Sequence, residues 1–85
     1  MKVVIVFKPE SEHARAVSDF LHEFHRQTGR ELEMVNPETK EGDAFCRTYD
    51  VVEYPTMLAL GDDGVMQQTW RGLPLPTISE VSYYA

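Results

Sequence analysis

Eighty-five residues and 9.8 kDa hold one domain, residues 1–85, and at this size folding leaves about 5,200 Å² of surface exposed out of about 14,200 Å², one thin core. Eight Lys and Arg against fourteen Asp and Glu give a net charge of −6, a sign that opposes nucleic acid and an anionic membrane surface as partners. With 42% hydrophobic and 26% charged residues the composition is that of a folding globular chain, far from a disordered one.

Val3 to Phe7 is a continuous apolar, β-branched run closed by Lys8-Pro9, which predicts a strand buried on both faces of a parallel or mixed sheet. It is too short for a membrane span and lacks the small-residue cleavage site of a leader, so a cytoplasmic location is expected. Ser11 then precedes Ala14, Val17, Phe20, Leu21 and Phe24, the spacing of an amphipathic helix with Ser11 as N-cap and Gly29 as its end. Glu31 to Val35 alternates as a second strand and stops at Asn36-Pro37. A weaker helical pattern runs from Thr39 to Tyr49, where Gly42 blurs the start and the lone Cys46 is expected as a small buried hydrophobe. Thr56 to Leu60 is a third strand, joined through Asp63-Gly64 to an antiparallel fourth, Val65 to Arg71, in which Trp70 and Met66 are expected to pack. Gly72-Leu73-Pro74 breaks that strand, and Thr77-x-x-Glu80 is a capping box that opens a short last helix to Ala85. The order β-α-β-α-β-β-α predicts an α/β fold, a four-stranded mixed sheet flanked by helices on both faces.

The stretch Tyr49-Asp50-Val51-Val52-Glu53-Tyr54-Pro55-Thr56-Met57-Leu58-Ala59-Leu60 resembles the thioredoxin superfamily, which carries Pro-Thr ahead of an apolar strand; the Asp62-Asp63-Gly64 turn and Gly72 fall at the same family's spacing. Lys8-Pro9 is similar to the lead-in of many glutaredoxin sites. The resemblance implies a cis peptide between Tyr54 and Pro55, with the Tyr54 backbone turned outward to pair with an extended peptide. It also implies a Cys-x-x-Cys at the start of the first helix, and there this chain reads Ser11-Glu12-His13-Ala14. Disulfide exchange needs an attacking thiolate and a resolving thiol, so thiol oxidoreductase activity is not expected.

The resemblance therefore points to a redox-inactive module that binds a protein or peptide through Lys8, Pro9, Ser11, Ala14, Tyr54, Pro55, Thr56, Gly72 and Leu73, without a cofactor. A rival reading has Ser11 orient a glutathione thiolate, as the serine of some glutathione transferases does. The residues that complete a glutaredoxin's glutathione site are not found after Gly72, where Leu73-Pro74 follows. A third reading makes the chain a scaffold or an excised domain, monomeric or weakly dimeric, whose short last helix wants cover. Asp19-x-x-His22-x-x-His25 would put three donors on one helical face, but a solvated polar face is the simpler account and no metal site is expected.

Overall fold

Four consecutive β-branched residues, Val3 to Val6, fit a central strand because both sides of it are covered. In the computed structural model, which describes residues 1–85, strand β1 (Lys2–Val6) lies inside a four-stranded sheet of order β2-β1-β3-β4. It runs parallel to β2 (Glu33–Val35) and antiparallel to β3 (Thr56–Leu60), and β3 pairs antiparallel with β4 (Met66–Arg71) across a bulge at Ala59/Leu60. Helices α1 (Ala14–Thr28), α2 (Lys40–Tyr49) and α3 (Ile78–Tyr84) complete the expected order.

Alternation along β1 and β3 splits the core in two. Val3, Ile5, Met57 and Ala59 face Val17 and Phe24 of α1 and Val81 of α3, whereas Val4, Val6, Leu58 and Leu60 face Cys46 of α2 and Val51. Every residue of β3 is buried, while β4 is mostly exposed, as an edge strand tolerates. The exposed area, 5445 Å², lies close to the size-based expectation.

The local signals explain most of the boundaries. Gly29 ends α1 in the left-handed region at φ 73°, and the Thr77 and Glu80 side chains close the capping box of α3 reciprocally. Thr39 caps α2 by accepting the Gly42 N–H at 3.0 Å. Three expectations need correction. The second strand is shorter than Glu31 to Val35 because only Glu33 to Val35 meet β1. Met66, expected to pack, is 40% exposed at the first position of an edge strand. The first helix starts at Ala14 and Ser11 does not cap it, because residues 9–13 form a separate turn in which the Ser11 hydroxyl donates to the Lys8 carbonyl.

Candidate functional site

The strand register gathers most of the candidate residues. Val6 lies opposite both Val35 and Thr56, and Thr56 lies opposite Arg71. Whatever follows β1, precedes β3 and follows β4 therefore emerges at one end of the sheet, which brings together Lys8 and Pro9, Tyr54 and Pro55, and Gly72 and Leu73. Lys8 confirms the proximity, since its ammonium lies 5.2 Å from the centre of the Tyr54 ring. The Gly72 N–H donates to the Pro55 carbonyl at 2.7 Å and ties the third group to the second.

Backbone geometry around Pro55 is set from below. The Tyr54–Pro55 peptide is cis, and so is Leu73–Pro74 beside it. Thr56 is only 3% exposed, and its hydroxyl donates to the Glu53 carbonyl at 2.6 Å. Pro55 is buried as well, so these two residues shape the loop and present almost no surface to a ligand. Tyr54 differs. It is half-buried, and neither its amide nor its carbonyl is hydrogen-bonded within the chain. Gly72 sits at φ 69° with the Glu53 carboxylate across from it, and Leu73 beyond it is 57% exposed.

The turn before α1 brings Ser11 and Ala14 to the same neighbourhood through Lys8. Ser11 Oγ donates to the Lys8 carbonyl at 2.5 Å, the Ala14 N–H donates to the Ser11 carbonyl at 3.2 Å, and His13 Nε2 accepts the Lys8 N–H at 3.2 Å. With its only proton donated to Lys8, Ser11 has none left for a ligand, although its oxygen can still accept. His13 is the residue that sequence reasoning missed: its imidazole fills the place of a backbone partner for Lys8, and no periodicity or motif marks that role. Glu53 was missed for the same reason.

Burial pushes the Cys46 thiol up, the Tyr54 phenol opposes that by hydrogen bonding, and Asp43 adds to the rise. Burial likewise raises the Tyr54 phenol, with Cys46 beside it. Cys46 is 7% exposed, in the half of the core that also holds Val4, Val6, Val51, Leu58 and Leu60. No group of three or more His, Cys, Asp or Glu side chains is placed to hold a metal ion, and His22 and His25 lie exposed on α1. No helix is long and apolar enough to cross a membrane.

The surface has three hollows, and none of them is lined by Lys8, Pro9, Ser11, Ala14, Tyr54, Pro55, Thr56, Gly72 or Leu73. All three instead border the segment from Glu31 to Asn36. No hollow of the surface lies at the end of the sheet around Tyr54.

Comparison with known proteins adds a fold and nothing finer. No protein-family model matches the sequence, and no curated protein matches it. Among solved structures, thioredoxin 1 from the thermophilic eubacterium Thermosipho africanus TCF52B superposes with a TM-score of 0.67 at 15% identity, over 99% of this chain and 89% of that one. A malarial protein superposes with a TM-score of 0.63 at 14% identity, over 85% of this chain and 80% of that one. Element order, a sheet with a single parallel pair and superposition on a thioredoxin over nearly the whole length together give this chain a thioredoxin-like fold.

Proposed function

We propose that the chain is a redox-inactive, thioredoxin-like binding module of the cytoplasm that takes an extended protein segment against the backbone of Tyr54. The observation that carries this reading is the pairing state of that residue. An amide and a carbonyl without partners stand at the open end of the sheet, beside a first helix whose start holds no thiol. An extended peptide would satisfy both groups, as strand addition does elsewhere. Lys8 over the Tyr54 ring, and exposed Leu73, supply side-chain contacts at its margin. Glu10 and Glu12 flank Ser11 within the turn before α1 and disfavour an anionic ligand such as glutathione there.

Two measurements test the two halves of the reading. Insulin reduction by dithiothreitol should proceed at the uncatalysed rate with or without the protein, and acceleration that survives Cys46→Ser would overturn the redox half. Carboxymethylated insulin B chain, an extended peptide without free thiols, should shift the amide signals of Lys8, Tyr54 and Gly72. Unmoved signals at those residues with millimolar peptide would overturn the binding half.

A further inference from the structure

The concave surface of this molecule lies along β2, not at the Tyr54 end. The hydrogen-bond pattern there fixes which groups are free. In a parallel ladder the N–H and C=O of one residue point to the same neighbouring strand, and successive residues point to opposite sides. The Phe7 N–H donates to the Val35 carbonyl at 3.1 Å, so Val35 and Glu33 point toward β1. Met34, between them, therefore turns its N–H and C=O to the open edge, and the residue is 62% exposed. β2 is the outermost strand of the sheet, and no other strand pairs with that edge.

A hollow lies on each side of this bare peptide unit. On the α1 side, about 300 Å³ is bordered by Leu21, Leu32 and Met34, with Glu31, His22 and His25 at the margin. On the α2 side, about 410 Å³ is bordered by Phe45, Val35, Glu33 and Glu41. An added strand sends alternate side chains to opposite faces, so it would place one set in each hollow. The first hollow has an aliphatic floor. The second joins an aromatic ring to two carboxylates, which suits a guanidinium.

Charge selects the occupant. No lysine or arginine lines either hollow, and neither Glu31 nor Glu41 has an ion-pair partner, whereas Glu33 is shared with Lys2 at 3.4 Å. A second copy pairing edge to edge would bring these carboxylates against their own kind on a chain of net charge −6. We infer that the open edge of β2, at Met34, binds an extended basic segment of a partner protein in which basic and aliphatic side chains alternate.

A short fluorescein-labelled peptide of alternating arginine and leucine is the probe, with alternating glutamate and leucine as its control. The basic peptide should bind, more tightly at low ionic strength, and should slow hydrogen exchange of the Met34 amide. Reversing both free carboxylates, Glu31→Lys with Glu41→Lys, should weaken it about tenfold or more. Met34→Pro should abolish binding, because it removes an N–H that points away from the β1 ladder. If Met34→Pro does not fold, the charge-reversed protein and the exchange measurement still decide. Equal affinity for the acidic control, undiminished affinity in the charge-reversed protein, or shifts confined to residues around Tyr54 would each overturn the inference. So would a dimer that protects the Met34 amide before any peptide is added.

Discussion

Gly42 shows how far a single missing methyl can decide a helix start. A glycine inside a helix ordinarily costs about 0.5–1 kcal/mol against alanine, so Gly42→Ala would stabilise α2 if the site were open. It is not open. A Cβ there would stand 1.8 Å from the Asn36 carbonyl oxygen and 2.6 Å from its carbon, and backbone does not step aside as a flexible side chain does. Gly42→Ala should therefore destabilise the protein by about 1–3 kcal/mol, read as a lower urea midpoint with an unchanged slope. Cys46, one turn further on, allows a chemical test at the same scale. It is buried, and burial raises its thiol, so little thiolate is presented near neutral pH. Ellman's reagent should label it at least about tenfold more slowly in the native protein than in denaturant. Equal rates would place the thiol at the surface.

At the scale of elements, the weakest piece is α3, seven residues long and anchored by one fully buried side chain, Val81. Its capping box therefore matters. The Thr77 backbone N–H donates to the Glu80 carboxylate at 3.1 Å, and the Thr77 hydroxyl adds a second contact at 3.0 Å. The backbone bond first, and the hydroxyl second, hold the Glu80 carboxyl below its ordinary value of 4.5. A depressed carboxyl stabilises the fold above its unfolded value and gives that up as pH falls through its folded value. Acid should thus loosen α3 from about pH 4.5 downward, and Glu80→Gln should remove part of the acid dependence of the melting temperature. Thr77→Ala should cost about 1 kcal/mol at neutral pH and speed amide exchange in α3 first. An acid limb identical in Glu80→Gln would show the carboxylate idle. This element was legible before any coordinates, because a capping box is a local pattern four residues long. The start of α1 was not. Ser11 satisfies every local rule for an N-cap, and the turn from Pro9 wins because the Lys8 amide and carbonyl find partners in His13 and Ser11, contacts that only the folded turn brings together. The length of β2 was obscured likewise, since alternation continues through Glu31 while pairing with β1 does not.

For the whole molecule, the sequence carried the fold through hydrophobic period and turn chemistry, and carried the site only as far as chain order. Burial on both faces of β1 and β3 needs helices on both sides, and that demand holds whatever residues stand at the ends of the strands. Ser11 and Ala14 lie in and after the turn ahead of α1, outside the buried core, so that same demand leaves their identities open. The start of α1 at Ala14 bears on the reactivity of any thiol introduced at positions 11 and 14. Acidification of a thiol by a helix falls off beyond its first turn, and Ser11 lies three residues ahead of α1 with Glu10 and Glu12 on either side. In a Cys46→Ser background, Ser11→Cys should therefore titrate at or above the ordinary cysteine value of about 8.5, followed by thiolate absorbance. Adding Ala14→Cys should yield an oxidisable pair that reduces insulin poorly, because the attacking sulfur remains a thiol near neutral pH. A midpoint below about 7 at position 11 would mean that the helix field reaches across the Pro9 turn, and that a pair of sulfurs is all the fold lacks for electron transfer.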